Sequence, residues 1–325
     1  MHLSEDFLYL PDATLEAMQI APGDIADAIE AAIADQAAGS LHAAPKSALM
    51  PDAERYMMST LAVGDRQNLT VLKTVAVCPD NPGRGLAAIN GAILALDAQT
   101  GLLRALLGAN WVTAVRTAAL SLVAARRLAD PASEVITFVG TGVQAHSHLD
   151  AFASLFPLRH VRILGRGQAN IDKLRAAAEA RGLTADVAES PEAALRGADL
   201  VVTSITLNYD VAPFLDGRWL KPGAFAAITD LGIPWSDTGK AAFAPLVIDD
   251  RAQEATSPKP LAPPELITAD LSEMISGKVA VARDPDRASA FIFRGHALGD
   301  FAATALAVAR AEAMGVGQRI TPIEA

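Results

Sequence analysis

The stretch Val135–Leu149, VITFVGTGVQAHSHL, constrains the fold more than any other part of this chain. A β-branched run ends in Gly140-Thr141-Gly142, and small residues suited to a helix follow at once. A strand, a Gly-x-Gly turn and a helix in this order form the setting that cradles the pyrophosphate of a dinucleotide. Gly140 permits the tight turn, and Gly142 lets backbone N–H groups of the Thr141-Gly142-Val143-Gln144 segment approach phosphate oxygens. The following helix presents its positive end. Ala145 stands where the third glycine of the full fingerprint falls and is small enough for close helix–strand packing. The alternative is an ordinary glycine-rich connection between a strand and a helix.

The next strand, His160–Leu164, runs into Gly165-Arg166-Gly167. An NAD site usually ends this strand with an acid for the ribose 2′-hydroxyl, and here no carboxylate occurs before Asp172. Arg166 can pair with a 2′-phosphate instead, so the sequence favours NADP(H) over NAD(H). The competing reading is a solvated surface arginine. Asp199–Ser204 reads as a buried parallel strand, apolar on both faces because helices cover both. Ser204 and Thr206 then lie at its carboxyl end, where ligands bind in open α/β sheets. Ala224–Thr229 is a further strand, and Pro245–Asp250, PLVIDD, reads as the last of this unit. The pattern is an α/β fold with a doubly wound parallel sheet.

The balance of charge is acidic, 37 Asp and Glu against 27 Lys and Arg, which argues against a nucleic-acid partner. Cys78 is the single cysteine, so an internal disulfide and a cysteine-based zinc site are excluded. His146 and His148, two apart on a helix, point to different faces and make no metal pair. No basic n-region with an apolar core opens the chain, and no run approaches a membrane span. These features set the expectation of a cytoplasmic protein without membrane association.

Ahead of the nucleotide turn, Pro22–Ala37 reads as an amphipathic helix with Asp24 and Asp27 near its positive end. Met57–Ala62, Leu69–Cys78 and Ala88–Leu96 read as strands, Val112–Leu128 and Phe301–Ala313 as helices, with Asp300 capping the latter. Two cations stand out. Lys73 interrupts the apolar strand Val71–Val77, where it either faces solvent on the pleat or is held by an anion, since an unpaired buried ammonium is too costly. Arg116 sits among small and apolar residues in VTAVRTAA, either as a structural arginine or as a ligand clamp.

RTAALSLVAARRLA (Arg116–Ala129) and GTGVQA (Gly140–Ala145) resemble the ornithine cyclodeaminase/mu-crystallin family. LKTVAVCPDN (Leu72–Asn81), VIDDRAQEA (Val247–Ala255) and DLSEMISGK (Asp270–Lys278) follow the same pattern in order. The resemblance implies a Rossmann-type NAD(P)-binding domain at 119–294 and an α/β dimerisation and substrate domain built from both chain ends, 1–118 with 295–325. It also implies a homodimer. Lys73 falls on the family's substrate-binding lysine and Arg116 on its carboxylate-binding arginine. Lys46, in Ala44-Pro45-Lys46, falls where the family typically has an arginine, exchanging a bidentate fork for a point charge. The family's catalytic aspartate matches Gly232 without gaps, with Asp230 two residues earlier at the end of its strand as the substitute.

The resemblance further implies hydride transfer at the carbon–nitrogen bond of a small amino or imino acid. With the aspartate motif disturbed, the expectation is an NAD(P)H-dependent ketimine reductase or amino-acid dehydrogenase. Lys73 and Asp230 are its candidate catalytic residues, and Lys46, Lys73 and Arg116 bind the substrate. An ornithine-type cyclodeaminase releasing ammonia and a non-catalytic NADP(H)-linked binding protein are the alternatives. His296 is a candidate hydrogen-bonding group on the substrate side, and Trp111 and Trp235 could wall an apolar pocket, with core packing the safer assumption.

Overall fold

The computed structural model describes residues 6–51 and 55–321. The chain divides into one unit of residues 1–116 with 296–325 and a second of residues 117–295. In chain order the first unit carries β1 (Phe7–Leu10), β2 (Leu41–Ala43), β3 (Ser47–Leu49), β4 (Tyr56–Gly64), β5 (Leu69–Val77), β6 (Ile89–Asp97) and β7 (Leu103–Gly108). The second carries β8 (Val135–Val139), β9 (His160–Leu164), β10 (Thr184–Val187), β11 (Leu200–Thr203), β12 (Phe225–Ile228), β13 (Leu246–Ile248), β14 (Ala269–Asp270) and β15 (Ser289–Ile292). β16 (Gln318–Ile320) returns to the first unit.

The first sheet runs β16-β1-β7-β6-β5-β4-β2, with β3 also pairing β4. Its centre is an antiparallel meander from β4 to β7, closed at one end by the parallel pair β1–β7 and the antiparallel pair β1–β16. Both chain ends therefore build one sheet, as the resemblance implied. Alternation sets its faces: on β5, Leu69, Val71, Lys73 and Val75 point inward while Thr74 is exposed. The helix Ala297–Met314 packs on β4 and β5 and against the helix Pro22–Ala37. Ile25, Ile29 and Ile33 form the buried stripe of that second helix, spaced four apart as a core-facing stripe requires.

The second sheet runs β10-β9-β8-β11-β12-β15-β13-β14, and every pairing in it is parallel. From β8 the chain proceeds outward to β9 and β10, then returns to the other side of β8 as β11. The order reverses between β8 and β11, and the crevice at such a switch point is where open α/β sheets bind ligands. β11, β12 and β15 are buried at every position, the pattern of strands covered on both faces.

Two expectations are corrected. PLVIDD holds β13, but it is not the last strand: β15 comes later and inserts between β12 and β13. Asp300 does not cap the last helix, which starts at Ala297 with His296 Nδ1 accepting from the Leu298 N–H at 3.2 Å. Trp235 lies in the core, 1% exposed and edge-on to Phe243 at 5.2 Å, as the core-packing reading has it. No helix among the described residues is long and apolar enough to cross a membrane, and no group of three His, Cys, Asp or Glu is placed to hold a metal ion.

Candidate active site

The first unit buries an ionic centre. Register places Thr60 of β4 directly beside Lys73 of β5, so both side chains enter the covered face of the sheet. Lys73 Nζ donates to Asp300 Oδ1 at 2.5 Å and to Thr113 Oγ1 at 3.4 Å. Arg116 Nε lies 3.0 Å from the same Asp300 oxygen, an ion contact without hydrogen-bond alignment. The Thr60 hydroxyl donates to the other oxygen, Asp300 Oδ2, at 2.8 Å. Lys73 is 1% exposed and Asp300 2%. Thr113 and Arg116 project from the helix Ala109–Leu128, three residues apart and thus neighbours on its surface.

Burial pushes the Lys73 ammonium down to about 8. Asp300 opposes that shift, while Arg116 and the half-buried Lys46 add to it. Burial alone would raise the Asp300 carboxyl, but Lys73, Arg116 and the Thr60 hydroxyl outweigh it and hold the group below the usual aspartate value. Lys73, Arg116 and Lys46 are thus brought into one electrostatic cluster. The residue missed by sequence reasoning is Asp300. Its signal was present: it lies on the buried stripe that Ala297, Thr304, Ala307 and Ala311 mark along the last helix.

In the second unit the turn has the local geometry expected of it. Gly140 adopts φ 104°, and a Cβ there would lie 2.5 Å from the Ser204 carbonyl oxygen. Gly142 starts the helix Val143–Leu155 without a side-chain cap, and nothing lies within 4 Å of where its Cβ would be. The first N–H groups of that helix have no cap from the Gly142 side and are open to an anion. Thr141 packs its methyl group beside Gly165, and Val143 is exposed. Ser204 Oγ and Gln144 Oε1 are buried without a hydrogen-bond partner. Two such orphans flanking an open glycine cradle fit a polar ligand of dinucleotide type, because buried polar atoms are ordinarily satisfied.

Asp230 follows β12 at the carboxyl edge of the sheet and is 1% exposed. Its Oδ1 accepts from the Thr203 hydroxyl at 3.0 Å and its Oδ2 from the Ile205 N–H at 3.1 Å. Burial raises its pKa to about 6 against these two donors. Asp230 thereby fastens the segment bearing Ser204 and Thr206 to the end of β12. Thr206 itself is exposed, as is Arg166 beyond β9, and Arg166 makes no ion pair or hydrogen bond among the described residues. His148 is a core residue bonded to Ser121 Oγ and the Gln144 carbonyl, driven down to about 4 by burial.

With this geometry in hand, comparison with known proteins is direct. The model of the ornithine cyclodeaminase/mu-crystallin family matches residues 11–314. The chain belongs to that family. A relative from Burkholderia multivorans, Delta(1)-pyrroline-2-carboxylate reductase 1, is 32% identical over 225 residues, covering 68% of this chain and 69% of its own. Several other curated relatives are matched over only 44%, 59% and 65% of their lengths. Among solved structures, Delta(1)-pyrroline-2-carboxylate reductase of Thermococcus litoralis, in complex with NADH and L-proline, superposes with a TM-score of 0.87. It is 21% identical and covers 97% of this chain and all of its own. An archaeal alanine dehydrogenase dimer with bound NAD gives a TM-score of 0.83 at 24% identity, covering 97% of this chain and 99% of its own.

These two solved structures hold NADH and NAD, which overturns the expected preference for NADP(H). Arg166, which carried that expectation, is exposed after β9, and no contact among the described residues aims its guanidinium.

Proposed function

We propose that this chain is an NAD(H)-dependent reductase of a small imino acid, or the corresponding amino-acid dehydrogenase, acting at the Cα–N bond. The observation that carries the reading is the buried centre in which two cations, Lys73 and Arg116, share one carboxylate. The positive charge left over suits a substrate carboxylate in a site where charge is expensive to leave unpaired. Thr141, Gly142, Val143 and Gln144 would hold the dinucleotide's pyrophosphate through backbone N–H groups, with the Ser204 hydroxyl as a further contact. When bound, NADH supplies the hydride.

The chain's own residues handle binding and the proton. Arg116, with Lys46, grips the carboxylate and orients the C=N bond. The Lys73 ammonium gives its proton to the imine nitrogen as the imine carbon receives the hydride, and the lysine amine regains a proton from water. An ammonium depressed to about 8 remains mostly protonated at neutral pH yet is a stronger acid than an ordinary lysine. In this reading Asp230 positions the Ser204–Thr206 segment, and the proton-transfer role falls to Lys73.

The relatives whose names describe pyrroline-2-carboxylate reductases support a cyclic imine carrying a carboxylate on the imine carbon. The cyclodeaminase alternative is disfavoured by Gly232, at the position matched to the family aspartate. It adopts φ 69°, and a Cβ there would lie 3.1 Å from Lys240 Cε and 3.3 Å from the Leu261 carbonyl. The test is NADH consumption with cyclic and open-chain imino acids, alongside ammonia release from ornithine. Consumption with a cyclic imino acid is expected. Ammonia without net cofactor change would overturn the reading in favour of the cyclodeaminase.

A homodimer belongs to the same reading. On the uncovered face of the first sheet Leu61, Leu72, Leu94 and Leu106 stand in register across four strands. Leu61 is 40% exposed and the other three half-buried. A contiguous apolar row of this kind marks an interaction surface. Light scattering is expected to give twice the mass of one chain, and Leu61→Glu to shift it toward the single-chain mass.

A further inference from the structure

We propose that Asp300 is a positioning residue for the reaction: anchored by Thr60, its carboxylate places the Lys73 ammonium and the Arg116 side chain for the substrate and holds the proton on Lys73. The inference rests on the reading of Lys73 as proton donor. Three elements converge on this one carboxylate, β4 through Thr60, β5 through Lys73 and the helix Ala109–Leu128 through Arg116. One oxygen, Oδ1, receives both cations, so it fixes their spacing. The other is taken by the Thr60 hydroxyl, which fixes the plane of the carboxylate. With both oxygens engaged by Thr60, Lys73 and Arg116, the group acts through its neighbours.

The electrostatics follow from the same contacts. The charged groups acting on Lys73 are Asp300 from the last helix, Arg116 from the helix Ala109–Leu128, and Lys46 from the segment between β2 and β3. Two of these three are cations. Burial and both cations drive the proton off Lys73, and Asp300 is the one charge that retains it. Removing that charge leaves a buried amine between cations, which takes the neutral form. A neutral Lys73 has no proton to give an imine at neutral pH. A purely structural ion pair would affect stability without moving a catalytic pH limb.

The experiment compares wild type with Asp300→Asn and Thr60→Val. One readout is the pH profile of kcat/KM for cyclic-imine reduction by the NADH-loaded enzyme. The other is a lysine ¹³Cε NMR titration of the ligand-free protein, with the Lys73 signal assigned from Lys73→Met. Reduction falls as pH rises through the Lys73 titration. In Asp300→Asn that fall is expected about two pH units lower, which reduces activity at pH 7 about tenfold, with NADH affinity unchanged. Thr60→Val is expected to shift the limb the same way by a smaller amount. An unmoved limb in both variants, or loss of activity with the Lys73 resonance titrating as in wild type, would overturn the proposal. If Asp300→Asn does not fold, Thr60→Val decides, and an unmoved limb there overturns it. If wild type reduces no imine, the functional reading fails by itself. The NMR titration then still decides whether Asp300 holds the proton, an unshifted Lys73 in Asp300→Asn counting against it.

Discussion

Lys73→Met is expected to lower kcat/KM for imine reduction by about 10³-fold, the usual worth of a positioned proton donor, while leaving NADH affinity untouched. The substitution is close in length and apolar, so it fills the space on the covered face of β5 without a buried charge. Asp300 keeps its Arg116 contact and its Thr60 hydrogen bond, so no carboxylate is stranded and the fold stands. Separating KM from kcat is informative here. Loss confined to KM would make Lys73 a carboxylate clamp alone, whereas loss in kcat marks the proton. Steady-state kinetics with a cyclic imino acid, together with NADH titration by fluorescence, measure both.

The second large effect falls on stability. Gly140→Ala forces a side chain into φ 104° and against the Ser204 carbonyl, where its Cβ would sit at 2.5 Å. Backbone strain costs about 1–3 kcal/mol and overpacking a similar amount, and the carbonyl it meets belongs to backbone that cannot rotate away. A fall in Tm on the order of 10 °C is expected for a unit of this size, read by calorimetry. Gly142→Ala is the control. Its φ is −81° and nothing lies within 4 Å of the new methyl group, so the fold tolerates it. NADH binding is then expected to weaken, because the methyl occupies space the phosphate approaches. An unchanged NADH affinity in Gly142→Ala would sink the assignment of this turn.

The contrast between these two glycines shows what the sequence could and could not say. The strand–turn–helix was legible because a β-branched run, two glycines and small residues lie in one short segment, all of it local. Lys73 was legible as an anomaly for the same reason, since its neighbours on β5 are apolar. Its partner was not, because Asp300 is 227 positions away and its meaning depends on where the last helix begins. Placing that start at Phe301 made Asp300 a cap, and placing it at Ala297 makes it a core-facing acid. β15 was missed on similar grounds. Four residues, SAFI, pair in parallel with β12 and β13, and pairing between distant segments leaves no periodic trace in either. Asp230 was correctly placed at a strand's end, yet its two donors come from the neighbouring strand and loop, which only the fold brings to it. Arg166 misled because proximity in sequence to a nucleotide turn does not fix where a long, solvated side chain goes.

The pairing of β1 with β16, Phe7 against Ile320 and Tyr9 against Gln318, bears on how the molecule is made. A ribosome delivers the chain from one end, and segments fold as their partners emerge. Residues 117–295 form a contiguous unit, so all of its strands leave the tunnel before the last helix does. The first unit is begun earliest and finished last: β1 waits for β16, and Lys73 and Arg116 wait for Asp300. Until the final stretch leaves the exit tunnel, the nascent chain carries two cations destined for burial and no counterion for either. Ribosome-bound chains whose residues up to 295 have left the tunnel, with the last helix still inside it, would therefore display a formed dinucleotide fold and an unfinished anion site, the reverse of the order in which the two were synthesised.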